Sequence, residues 1–143
     1  MTRSRIMPMK KLVLANIVVL VLSAVGNFVI HGMLLREAYG KFPNLLRTLN
    51  DSNDNAMFLM VGFLFFTLGF VWIYAQLKQS GSWIMDGLKY AIAVWLIASV
   101  SRYAIYYAIQ PWSTEVVWMQ IGYELVFTLM LGAAIGFILR EQN

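Results

Sequence analysis

The sequence predicts an all-α fold: an integral membrane four-helix bundle, running up-down-up-down, with both termini cytoplasmic. Three observations carry that expectation. Of 143 residues, 60% are hydrophobic and 13% charged, more apolar material than the interior of a soluble domain of this size can take up. Four apolar runs, at about 12–35, 56–77, 90–109 and 116–139, are each long enough to cross a hydrocarbon core of about 30 Å. The charges between them are uneven. The amino segment, the 78–89 link and the tail hold Arg3, Arg5, Lys10, Lys11, Lys78, Lys89 and Arg140 against Asp86 and Glu141, and seven minus two is +5. The outer loop 36–55 and the 110–115 turn hold Arg36, Lys41 and Arg47 against Glu37, Asp51, Asp54 and Glu115, and three minus four is −1. Bases accumulate on the cytoplasmic side of membrane proteins, which orients the chain.

A single transmembrane domain over 1–143 follows, with no internal repeat and no low-complexity stretch. The absence of cysteine excludes disulfides, thiolate metal sites and cysteine nucleophiles. The net charge of +4 is read as an orientation signal, with contact to anionic lipid a by-product. The expected partners are therefore the lipid bilayer and, beyond it, a larger membrane complex or a homo-oligomer. Nucleic acid is not among them.

The first run, Leu12–Leu35, follows a basic segment and imitates a secretory signal, with Ala24-Val25-Gly26 resembling a cleavage site. Its 24 residues exceed a usual signal core, and it is expected to be kept as the first span. In the outer loop, Pro43 suits the first turn of a helix. Phe42, Leu45, Leu46 and Leu49 are spaced to lie flat on the membrane surface. The cluster Asn50–Asn55 is expected to stop that turn and cap the second span. The alternative is a lid over an outer cavity. The second span is uncharged and rich in phenylalanine (Phe58, Phe63, Phe65, Phe66, Phe70), with Trp72 and Tyr74 near its end, where an aromatic belt would lie. As the least polar span it is expected to face lipid or a partner subunit.

The third and fourth runs each contain one full charge, Arg102 and Glu124. Both are eleven residues from Ser113, the centre of the polar turn between them. In an antiparallel hairpin both then reach about 16 Å from the tip, inside the apolar slab. An ionised side chain costs several kcal/mol there unless paired or wetted, so a buried Arg102–Glu124 ion pair is expected. The first span adds Ser23, Asn27 and His31 at four-residue steps, the third Ser99, Tyr103 and Tyr106, and the fourth Gln120 and Thr128. The intramembrane polar cluster is thus Asn27, His31, Arg102, Tyr106, Gln120 and Glu124, on faces expected to converge inside the bundle.

Two readings of the cluster stand side by side. The pair either fixes helix register, or forms a charge site for proton transfer, ion passage or an anionic head group. His31 either is a satisfied histidine near the interface or relays protons or binds a quinone. A single histidine excludes a bis-His haem, and no cofactor or metal is expected. No catalytic residue is assigned, because phosphate-cradling glycine loops, nucleophile elbows and HExxH motifs are missing. Acid–base chemistry by His31 and Glu124 within the membrane would be the enzymatic alternative. In the fourth span, Gly132 and Gly136 form a small-xxx-small pair for close helix packing, within the chain or at a dimer seam.

The stretches Phe-Val-Ile-His-Gly-Met-Leu-Leu (28–35), Ile-Tyr-Ala (73–75) and Asp-Gly-Leu-Lys-Tyr (86–90) carry a resemblance, as does a glutamate ahead of a glycine-rich half-helix, Glu124 to Gly136. The chain resembles a group of small bacterial four-span membrane proteins catalogued as domains of unknown function. The resemblance implies fold and an inner-membrane location, and no activity. The expected function is a non-catalytic subunit or scaffold packing with other membrane proteins. The alternatives are a small carrier or channel using the outward-facing polar cluster for a proton, an anion or a lipid head group, and an intramembrane enzyme.

Overall fold

In hydrocarbon a backbone must satisfy its own hydrogen bonds, and long apolar runs do so as helices. The computed structural model describes residues 8–77 and 82–140, which are mostly helical with no strand among them. Four helices are long and apolar enough to cross a membrane: Met9–Leu34, Ala56–Gln76, Trp83–Ile109 and Thr114–Leu139, the first to fourth spans. The basic residues Arg3, Arg5 and Lys78, with Gly81 and Glu141, lie outside the described residues.

Local chemistry sets the ends. Gln110 is extended (φ −129°, ψ 142°), as the residue before Pro111 prefers, and the third span stops there. Ser113 Oγ then accepts from Val116 N at 3.3 Å and caps the fourth. The third span begins at Trp83, earlier than the expected 90, so Ser82–Lys89 is not a link. The cause is packing. A Cβ on Gly87 would overlap the Gly132 carbonyl oxygen, and one on Gly136 would overlap the Trp83 carbonyl oxygen. The first turns of the third span thus lie backbone to backbone against the Gly132/Gly136 stripe, within this chain.

The 36–55 segment departs from expectation at several points. Pro43 lies in a turn, and the helices flanking it are Arg36–Gly40 and Leu49–Asp54. Thr48 Oγ1 accepts from Asp51 N and caps the second of these. Asn55 Nδ2 returns to Asp51 O at 2.8 Å. The Asn/Asp cluster is therefore itself a capped helix, and no side chain caps the second span. Phe42 and Leu45 do not lie outward on a surface. They pack, with Tyr39, against Trp112, Val116 and their neighbours, the Phe42 and Trp112 rings 5.5 Å apart. This is the lid arrangement; the Leu49 side chain lies outside the described residues. The apolar residues turn inward because Tyr103, Trp112 and Ile121 offer a second small core to bury them.

The main core joins all four spans: Ala15 and Val19, Phe70 and Tyr74, Tyr90, then Leu131, Ile135 and Leu139. Trp72 is exposed as a belt residue would be, but Tyr74 is buried, which corrects its belt placement. Its hydroxyl comes up against Gly136, where there is no side chain, and its ring packs 5.3 Å from Tyr90. Tyr90 Oη donates to Phe70 O at 2.7 Å. The second span rests chiefly on the first. A cleft opens between it and the third.

Two stretches are wound as π-helix, Phe28–Leu34 and Leu96–Val100, with Leu35 N bonded back to Ile30 O at 2.9 Å. Such wide turns are frequent at functional positions. Both lie beside the polar cluster.

Candidate functional site

Glu124, in the middle of the fourth span, is the hub. Its Oε1 accepts from Tyr103 Oη at 3.2 Å, His31 Nε2 at 3.3 Å and Arg102 Nη2 at 3.4 Å. One oxygen thus receives donors from two other spans. Thr128 Oγ1 donates to the Glu124 carbonyl at 2.6 Å, which ties off that side chain one turn away. The π-turn at Phe28–Leu34 contains His31, and that at Leu96–Val100 ends two residues before Arg102.

A buried pair was expected, and the structure divides it. The Glu124 side chain is 9% exposed and that of Arg102 45%. The long arginine stem carries its head out of the helix interface, as amphipathic side chains do. The guanidinium also lies 4.8 Å from the centre of the Tyr103 ring and donates to Tyr103 Oη at 3.2 Å. Tyr103 is thus a bridge, accepting from the cation and donating to the carboxylate.

A second chain of bonds reaches the hub from the lid. Gln120 Nε2 donates to Tyr39 Oη at 3.0 Å, and Tyr39 Oη lies 2.6 Å from His31 Nδ1. The phenol, accepting from Gln120, has its own proton for Nδ1. The Glu124 carboxylate can only accept, so in the neutral ring the proton sits on Nε2 and Nδ1 accepts from the Tyr39 hydroxyl. Every bond in the sequence Gln120, Tyr39, His31, Glu124 runs the same way. The two rings are parallel within 6°. Burial pushes the Tyr39 phenol above its ordinary value near 10, and the nearby Glu124 charge adds to this. The Gln120 bond and Arg102 offset part of it.

Two cavities flank the hub. One, of about 290 Å³, lies in the cleft between the second and third spans, with Phe58, Phe63 and Phe66 on one side and Ser99, Arg102 and Glu124 on the other. In its wall Ser23 is buried, and its Oγ has no hydrogen-bond partner. The other, of about 330 Å³, lies under the lid, among His31, Tyr39, Tyr103, Trp112 and Gln120. Asn27 and Arg102 line both.

Of the residues singled out from sequence, His31, Arg102 and Glu124 meet. Asn27 stands beside them, its amide on Ser23 O at 3.3 Å. Gln120 is one bond removed, through Tyr39. Tyr106 does not reach the carboxylate; it stacks edge-on against Tyr103 and lines the cavity under the lid. Tyr39 was missed, although it follows His31 by eight residues, a spacing that repeats a helix face. Tyr103 was noted only as a neighbour of Arg102. Among the described residues no three of His, Cys, Asp and Glu gather as a metal site would require. No family model, curated protein or solved structure matches the chain.

Proposed function

We propose that this is a multi-pass protein of a bacterial cytoplasmic membrane that binds the anionic head group of a membrane amphiphile in its outer half. The spans run up-down-up-down with both termini inside. The bond from Lys11 Nζ to Arg140 O at 2.9 Å supports both ends lying on one side, and the charge asymmetry supports that side being the inner one. The single observation that carries the binding reading is Arg102. Its guanidinium is nearly half exposed at membrane depth, lines both cavities, and shares its carboxylate with His31 and Tyr103. A cation so placed favours a further anion. The phenylalanines of the cleft suit the hydrocarbon tail that would accompany it.

Nanodiscs of phosphatidylglycerol and phosphatidylcholine, followed by native mass spectrometry, test this. The expected result is selective retention of the anionic lipid, lost in Arg102→Gln with helix content unchanged. Decanesulfonate in dodecyl maltoside should bind at least tenfold more tightly than methanesulfonate, because the tail contributes about 0.8 kcal/mol per buried methylene. Equal retention by Arg102→Gln, or equal binding of the two sulfonates, would overturn the reading.

A second reading, a non-catalytic subunit packing against other membrane proteins, is favoured by the exposed face of the second span, with Phe58, Phe65 and Trp72. It predicts a stoichiometric partner after mild detergent extraction, held by this face and released by Phe65→Ser with Trp72→Ser. A clean homo-oligomer would count against it.

A further inference from the structure

We propose that the site takes up one proton with each anion it binds, and that His31 receives it. This rests on the anion site proposed above and adds a coupling to it. The argument is one of charge and of donors. Without an anion, Arg102 and Glu124 carry opposite charges 3.4 Å apart and sum to zero. An anion drawn to Arg102 would leave the level one unit negative, inside an apolar slab where a net charge is costly. A proton on His31 restores neutrality. The imidazolium is already 3.3 Å from Glu124 Oε1, so it takes over as that carboxylate's countercharge and leaves the guanidinium to the anion.

The hydrogen-bond polarity supplies the second half. In the neutral ring Nδ1 accepts, and the Tyr39 proton is committed to it at 2.6 Å. Once Nδ1 carries a proton, Tyr39 Oη must accept from it, as it already accepts from Gln120. The phenol proton then turns outward into the cavity that Tyr39 lines together with Arg102. One protonation thus adds a positive charge and frees a donor, both toward the anion.

The groups facing His31 set the direction of the effect. The 36–40 helix presents Tyr39, the third span Arg102 and Tyr103, and the fourth Glu124 and the uncharged Gln120. The second span holds no Asp, Glu, Lys, Arg or His. Glu124 alone among these is anionic, and a bound anion adds a second negative charge that favours the imidazolium. Anion binding and proton binding therefore reinforce each other, and by linkage the effect is mutual.

The full chain in dodecyl maltoside, titrated calorimetrically with decanesulfonate in buffers of different ionisation enthalpy, reads the coupling directly. This probe is ionised at every pH used, so any proton taken up goes to the protein. Between pH 6 and 9 binding should be accompanied by uptake of up to one proton per anion, and affinity should fall by up to about tenfold per pH unit as pH rises. His31→Gln, which keeps a donor and an acceptor but cannot titrate, should bind with no uptake and with a flat pH profile. Tyr39→Phe should keep the uptake and weaken binding at the acid end. Wild-type binding without proton uptake at any of these pH values would overturn the inference and leave the anion site standing. Uptake persisting in His31→Gln would overturn the assignment to His31. No binding of decanesulfonate at any pH would remove the site and the coupling together.

Discussion

Leucine at Arg102, at Glu124, and at both positions separates an open charge site from a closed ion pair. Glu124→Leu takes the acceptor from the buried Tyr103 Oη and from Nε2 of His31, a side chain that is 28% exposed. A buried donor left without a partner costs about 1–3 kcal/mol, and the half-wetted imidazole adds less, so the loss should be about 2–4 kcal/mol. Arg102→Leu removes a contact at 3.4 Å whose cationic side is 45% exposed. Pairs of that kind are worth about 1 kcal/mol or less. At pH 6 His31 and Tyr103 still serve the carboxylate, so Arg102→Leu should cost about 1 kcal/mol and the double variant no more than Glu124→Leu alone. Unfolding in mixed micelles of SDS and dodecyl maltoside at pH 6, followed by circular dichroism, gives all three values. A closed, desolvated pair would instead make each single change cost about 3–5 kcal/mol, with the double variant recovering most of it. That result would refute the exposed guanidinium and the function built on it.

The glycine seam gives a sharper contrast. Gly87→Ala drives a methyl into the Gly132 carbonyl oxygen and should lose about 1–3 kcal/mol to overpacking, whereas Gly122→Ala meets open space and should gain up to about 1 kcal/mol in helix propensity; equal stabilities in the same micelles would refute the backbone contact. Tyr39→Phe should remove a phenol that titrates later than about pH 10, seen as the difference in absorbance at 295 nm during alkaline titration. Because its folded value is raised, the stability linked to Tyr39 is intact below pH 10 and is lost as pH climbs through that higher value; a phenol that titrates at or below 10 would contradict its burial. Ser113→Ala should cost about 0.5–1 kcal/mol through the lost cap on Val116, and no change would place the start of the fourth span elsewhere.

Much of the fold is legible in the chain because length and hydropathy are local properties. A run of some 20 apolar residues is a spanning helix whatever surrounds it. Counting eleven residues either side of Ser113 likewise puts Arg102 and Glu124 at one height, since helix rise is constant. Periodicity also puts Asn27 and His31 on one face. None of this says which face meets which.

The rotation of each helix about its axis, and hence the site itself, was decided by tertiary packing. Gly87 against Gly132 sets how the third span lies on the fourth, and the π-turns shift the register beyond them. That packing aims three donors at one oxygen of Glu124 and leaves Arg102 half in the open. Tyr39 reaches His31 only because the lid finds a small apolar core to fold onto, at Trp112 and Val116. The sequence by itself determined a four-span membrane protein with opposite charges at a shared depth. The partners of those charges, and their unequal exposure, came from contacts between residues far apart in the chain, which one-dimensional spacing does not encode.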